Sequence, residues 1–177
     1  MIRNSMALLA GNLVCFLKKI RYQKHFQYSV LIRFFNSVEI RLRNRGSIFF
    51  GKNIKVDSYS LIASNGGKIV FGNKVGIGRN NVIISMEEIS IGDGTILAPN
   101  VLIYDHDHLF DREDGVHIRE YNRAPVVIGK NCWIGANTVI LKGTVLGDNC
   151  LVAAGSVIKG TYPSGSKIIQ KRITELR

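Results

Sequence analysis

The sequence predicts a mainly β chain, a parallel β-helix built from six-residue repeats and preceded by an N-terminal helical arm. Three observations carry this. From Ile128 to Val157 a six-residue unit recurs without a break as IGKNCW, IGANTV, ILKGTV, LGDNCL and VAAGSV. Each unit opens on an aliphatic residue (Ile128, Ile134, Ile140, Leu146, Val152), with Gly or Ala second in four of the five and Cys, Thr or Ser always fifth. Upstream of the repeats the spacing changes: Leu9, Leu13, Phe16, Leu17 and Ile20 fall three or four residues apart.

A period of six matches neither an amphipathic helix nor a simple half-buried strand. It suits a solenoid in which three short strands make one coil and equivalent side chains stack from coil to coil. The opening aliphatics would fill the interior as ladders, and small residues would tolerate the tight corners.

The elements follow in order. Residues 1–46 form a basic helical arm or cap, with one or two helices over 5–40. Such a segment would cap the first coil or pack on its flank, because an open coil end exposes unpaired strand edges. Residues 47–160 form the β-helix. Phe50, Val56 and Ile62 open its first coil, Phe71, Ile77 and Ile83 its second, and Ile91, Leu97 and Ile103 its third. The phase slips by three residues around Gly66–Lys68 and by two near Met86–Glu88, as bulged corners would require.

An extended loop at 105–125 interrupts the coils. It holds six acids (Asp105, Asp107, Asp111, Glu113, Asp114, Glu120) and three of the four histidines. A long loop inside a regular solenoid is uncommon unless it is functional, and its base must lie along one edge of the prism. After Tyr162–Pro163 the pattern breaks, and 161–177 reads as a tail with a short strand leading into a terminal helix.

Charge narrows the partners. Nine of the 24 Lys and Arg residues lie in 1–45 against one acid, Glu39, so the arm carries most of the net +11. No nucleic-acid-binding pattern accompanies it, which leaves an anionic membrane or an acidic glycan. The apolar run Met6–Leu17 is broken by Gly11 and Asn12 and falls short of the ~20 residues of a membrane span. The charges follow that run and no cleavage site closes it, so no secretory leader is expected. The expected location is cytoplasmic, with peripheral contact at the inner membrane face. Cys132 and Cys150 stand eighteen residues apart, one coil, and read as stacked buried corner residues rather than a disulfide.

The segments IGDGTILAPNVLIYDHDHLFD and PVVIGKNCWIGANTVILKGTVLGDNCLVAAGSVIKG resemble the hexapeptide-repeat acyltransferases, closest to the maltose, galactoside and polysaccharide O-acetyltransferase branch. The resemblance covers about residues 70–160 and implies a left-handed parallel β-helix assembled as a homotrimer with active sites between subunits. It implies acetyl-CoA as co-substrate, no metal, and a sugar or polysaccharide acceptor. His108 falls at the family's catalytic histidine, with His106 as its competitor. A near-neutral imidazole can take the proton of a sugar hydroxyl as that oxygen attacks a thioester.

By the same resemblance Asn80 helps hold the acceptor, and Trp133 lies beside the acceptor or the pantetheine arm. Ala136 and Ala154, one coil apart, match positions whose backbone groups bind pantetheine amides. Lys142 and Lys159 are available for the CoA phosphates. Asp105 or Asp107 orients a loop imidazole or binds acceptor hydroxyls. The chain departs from the family after the coils, reading TYPSGS in place of a G-N-P-A turn. Its arm also differs from the helical cap of the maltose and galactoside enzymes, which favours a surface-polysaccharide acceptor. The function expected is acetyl-CoA-dependent O-acetylation of a sugar hydroxyl on such a polysaccharide or its precursor. The alternatives are N-acylation of an amino sugar and a non-catalytic β-helix scaffold. A zinc enzyme on this scaffold would need His106, His108 and His117, yet all three lie in one loop rather than on successive coils.

Overall fold

In a computed structural model describing residues 2–170, the six-residue units become two- to five-residue strands separated by turns. The strands stack in parallel as three sheets, the faces of a triangular prism. Face one runs upward through 26–28, 47–50, 68–71, 88–91, 126–128, 145–146 and 161–162. Face two runs through 33–34, 55–56, 76–77, 96–97, 133–134, 151–152 and 167–168, and face three through 39–43, 61–65, 82–85, 102–104, 139–140 and 157–158.

The opening aliphatics are the interior ladders. Phe34, Val56, Ile77, Leu97, Ile134, Val152 and Ile168 lie in register on face two. On face three the ladder is isoleucine throughout: Ile40, Ile62, Ile83, Ile103, Ile140 and Ile158, all buried. Burying β-branched and aliphatic side chains in such columns supplies the main stabilising term of the solenoid.

Each hexad position has a physical reason. The second residue stacks backbone on backbone: a Cβ on Gly129 would sit 2.5 Å from the carbonyl carbon of Gly147, and one on Gly135 2.5 Å from the amide nitrogen of Ala154. The fifth residue points inward, and its hydroxyl donates to the carbonyl three residues back, from Thr138 to Gly135 (2.7 Å), Thr144 to Leu141 (2.6 Å) and Ser156 to Ala153 (2.7 Å). Cys132 and Cys150 occupy the same position, buried and free, as expected. The fourth residue takes positive φ in every unit: Asn131, Asn137, Gly143, Asn149 and Gly155. Only Gly, and more modestly Asn, adopt that conformation readily. Asn149→Ala should therefore lower stability by about 1 kcal/mol, and Asn149→Gly should be near parity, as read by thermal unfolding of the three proteins.

The coils begin earlier and end later than the sequence suggested. One helix, α1 (Ile2–Tyr22), is followed by a single turn at Gln23–His25. Residues Phe26–Arg43, expected as part of the helical arm, form the first coil instead. Its hexads are masked by Phe34–Phe35 and by a corner, Ile40–Phe50, four residues longer than the regular six. The strands Thr161–Tyr162 and Lys167–Ile168 continue the stack past the expected end, while the expected terminal helix lies outside the described residues.

The face of α1 that packs is also different. Ala7, Gly11 and Cys15 are buried against the first coil, whereas Leu9, Leu13, Phe16, Leu17 and Ile20 point outward. Close approach explains it: a Cβ at Gly11 would lie 2.3 Å from the carbonyl oxygen of Ile32. Burial in this contact pushes the Cys15 thiol pKa up to about 12.

All irregularity gathers on one edge, between faces three and one. From the ladder isoleucine of face three to the last inward residue of face one the chain takes ten residues (Ile40–Phe50), nine (Ile62–Phe71), eight (Ile83–Ile91), six (Ile140–Leu146) and, at the top, four (Ile158–Tyr162). The wider early coils are filled with aromatics: Phe50 stacks on Phe71 at 4.9 Å and meets Phe26 and Phe34 edge-on. The loop at 105–125 leaves from this same edge.

Candidate active site

The loop is an antiparallel hairpin of His106–Asp111 and Gly115–Arg123, the one antiparallel pair among the described residues. Its base is fixed by Asp105, which lies directly above Ser85 on face three. The carboxylate accepts hydrogen bonds from the Met86 N–H (2.8 Å), the Glu87 N–H (2.8 Å), the Ser85 hydroxyl (2.7 Å) and His106 Nδ1 (2.9 Å). The return strand closes on it as the Ala124 N–H donates to the Asp105 carbonyl at 3.0 Å. Burial pushes the Asp105 carboxyl up, but the bonds from His106, Met86, Ser85 and Glu87 hold it below the usual carboxylate range.

Of the two kinds of contact expected for Asp105, the one present is to an imidazole, that of His106. It is fully buried and four donors occupy its four or so lone-pair sites, so none remains for an acceptor hydroxyl. The sign that identifies it is the bulged corner beneath: Ser85, Met86 and Glu87 sit where the phase slips by two.

His106 is held beside it, largely buried, with its ring edge-on to Tyr104 (6.1 Å) and Tyr121 (5.7 Å). His108 is exposed. Its Nδ1 faces the His117 carbonyl at 3.4 Å, and its ring packs on Tyr121 with centroids 4.6 Å apart. An Nδ1–H donated to that carbonyl leaves the Nε2 lone pair as the acceptor. Neither Tyr121 nor the His117 carbonyl was legible as a partner, because hairpin register brings them to His108 across the strand pair. The His117 ring turns to Asp111 and, at 3.7 Å, to Glu120. Among the described residues the three hairpin imidazoles do not gather into a ligand cluster; the one trio of suitable atoms within 4.8 Å is Asp111, Asp114 and His117.

Asp107 and Lys142, assigned separately to acceptor and CoA phosphate, are partners: Lys142 Nζ lies 3.0 Å from Asp107 Oδ2. This ion pair ties the hairpin to the coil above, and with Asp105 below it fixes the hairpin at two levels. Lys159 is exposed on the same edge one coil higher.

The remaining expected residues lie elsewhere on the prism. Asn80, at φ +56°, and the stacked Ala136 and Ala154 sit on the edge between faces two and three. There the Ala136 carbonyl accepts from the Gly155 N–H at 2.7 Å, and small side chains leave the turn backbones open. Trp133 stands exposed on face two, in register with Ile96 and Leu151. Asn80, Ile96, Pro99 and Asn100 line a shallow groove beside it. Within one chain the whole of face three therefore separates His108 from Asn80, Ala136 and Ala154.

A solenoid of stacked hexads whose one long excursion carries paired imidazoles defines a hexapeptide-repeat protein. Residues 125–159 match the family model described as the hexapeptide repeat of succinyl-transferase. The chain is 35% identical over 136 residues to the putative lipopolysaccharide biosynthesis O-acetyl transferase WbbJ of Escherichia coli, covering 72% of this chain and 69% of that one. It belongs to the hexapeptide-repeat acyltransferase family. A probable acetyltransferase of Mycobacterium tuberculosis is 29% identical over 160 residues, and there the chain spans 53% of the relative's length. Among solved structures, AntD, an N-acyltransferase from Bacillus cereus crystallised with dTDP-4-amino-4,6-dideoxyglucose and coenzyme A, shares the fold with a TM-score of 0.69 at 18% identity, covering 83% of this chain and 80% of that one.

Proposed function

We propose that the protein is an acetyl-CoA-dependent O-acetyltransferase of a sugar hydroxyl in a surface polysaccharide or its precursor, with His108 as general base. The observation that carries this reading is the anchored hairpin, which presents one exposed imidazole whose Nδ1 faces a backbone carbonyl. With Nδ1–H engaged, Nε2 takes the proton of the acceptor hydroxyl while its oxygen attacks the thioester carbonyl. The tetrahedral intermediate then collapses, the C–S bond breaks, and the imidazolium returns the proton to the departing CoA thiolate.

The pantetheine arm would run along the edge carrying Ala136 and Ala154, with Trp133 and Asn80 toward the acceptor and Lys159 toward the CoA phosphates. Lys142, paired with Asp107, serves the hairpin instead. Because His108 and the alanine edge lie on different edges of one chain, the site would form between subunits, the hairpin of one against the alanine edge of the next. A homotrimer supplies three such sites. The protein would work in the cytoplasm, peripheral at the inner membrane face, supported by the cation excess of residues 1–45.

A second assignment of the base rests on one contact. The Asp105–His106 pair has the form of a carboxylate-oriented imidazole, which would make His106 the proton acceptor. Its burial argues for anchoring instead, since an acceptor sugar must reach the nitrogen.

Acetyl-CoA tests the reading at its root. Saturating acetyl-CoA should raise the melting temperature, since a ligand at 100 times its dissociation constant stabilises the native state by about 2.7 kcal/mol. No shift would leave a non-catalytic scaffold. A shift with transfer only to amino sugars would replace O- by N-acylation.

A further inference from the structure

The outward face of α1 has no role in the proposed chemistry. Ile2, Met6, Leu9, Leu13, Phe16 and Ile20 follow one another at alternating four- and three-residue intervals, with Leu17 beside them. All seven are exposed, Leu9 by 73% and Ile20 by 60%. At 3.6 residues per turn this stripe lies roughly opposite Ala7, Gly11 and Cys15, the line that caps the solenoid. The first coil is thus already covered. Ile2 and Met6 border a groove shared with Phe34 and Phe35, while Leu9, Leu13, Phe16, Leu17 and Ile20 face away from the protein. A continuous apolar strip of this length on a soluble surface marks an interaction site.

Charge decides what covers it. Arg3 and Arg21 border the stripe on one side and Lys19 on the other, Lys24 follows, and residues 2–38 contain no Asp or Glu. A second copy of the helix laid along the stripe would bring cations against cations, with none of the flanking acids that pair helices in coiled coils. An anionic surface is complementary to the same border, and Lys and Arg stems can lie along the apolar strip while their charges reach headgroups. No helix among the described residues is long and apolar enough to cross a membrane. Arg3 itself turns to the first coil, over Phe35 and 4.0 Å from Asp57. We infer that α1 is an in-plane anchor, its Leu9–Leu13–Phe16–Ile20 face seated in the interface of an anionic bilayer with Lys19 and Arg21 at the headgroups.

This rests on the peripheral placement proposed above but not on acetyl transfer. The test is co-sedimentation of the full chain with vesicles of phosphatidylcholine alone or mixed with phosphatidylglycerol. Binding to the mixed vesicles should be at least about tenfold tighter than to phosphatidylcholine and should weaken with salt. Leu13→Glu with Phe16→Glu should abolish it; Lys19→Glu with Arg21→Glu, which leaves the stripe whole, should weaken it at least about tenfold. The acetyl-CoA melting shift of each variant reports its fold and keeps a failed anchor distinct from a failed enzyme. The inference is overturned if wild-type protein ignores anionic vesicles or binds neutral ones equally. It is also overturned if Leu13→Glu with Phe16→Glu breaks an oligomer in sedimentation velocity while vesicle binding persists, which would assign the stripe to a second copy.

Discussion

His108→Ala lowers kcat by about 10²–10⁴-fold, the usual contribution of a positioned general base, while the melting shift with acetyl-CoA stays at its wild-type size. His108 is exposed, its Nδ1 faces the His117 carbonyl, and Tyr121 limits the ring's rotation, so Nε2 is directed outward and can meet a hydroxyl. His108 is exposed and meets His117 and Tyr121, both within the hairpin, so its loss leaves the coils and the alanine edge intact. His106→Ala is the necessary companion. If His106 only anchors the hairpin, its variant loses stability and retains a substantial part of kcat. A His106→Ala enzyme that is stable yet inactive, beside an active His108→Ala enzyme, would transfer the role of base to the Asp105-oriented ring.

The pair also shows where sequence reasoning stops. The ladders, the small fifth residues and the stacked cysteines follow from local spacing, because each coil repeats the last and a residue's environment is set by its phase. The hairpin obeys no phase. That His117 lends a carbonyl to His108, or that Lys142 meets Asp107, depends on how two strands cross, which no period encodes. The arm misleads for a related reason. Its strongest periodic signal, Leu9 to Ile20, reads as the packing face, yet the packed line is the weakly apolar Ala7–Gly11–Cys15. Hydrophobic spacing reports that a face is buried by something, and here the fold leaves that face uncovered. The first coil is hidden because its corner onto the second, Ile40–Phe50, is the longest, so the six-residue phase cannot be carried back through it.

Asp105→Ala destabilises the protein by about 3–5 kcal/mol, the range for removing one partner of a buried charged network. The substitution strands the N–H groups of Met86 and Glu87 and His106 Nδ1 at once, and each buried donor left unsatisfied is costly. The Ser85 hydroxyl keeps the Lys68 carbonyl as an acceptor at 3.2 Å. For a chain of this size the loss corresponds to a fall in melting temperature of roughly 10 °C. Asp105→Asn should cost less, because one amide oxygen can still accept from Met86 and His106. Its NH2 group can donate to the Ser85 hydroxyl oxygen but would oppose the Glu87 N–H. Acid sets the sign of a second readout. The Asp105 carboxyl is held below its ordinary value in the folded protein. Its stabilisation is therefore complete above the unfolded value of about 3.9 and is lost as pH falls through the folded value. The difference in unfolding free energy between wild type and Asp105→Ala should be constant near neutrality and should shrink progressively below about pH 4. A gap that stays constant through that acid range, or an Asp105→Ala protein as stable as wild type, would show that the hairpin is held by the Asp107–Lys142 pair and strand pairing alone. Loosening at its base should also reach the chemistry, since His106 and His108 share Tyr121 and one strand. Hydrogen exchange would then rise first at 106–123 and leave the isoleucine column of face three protected.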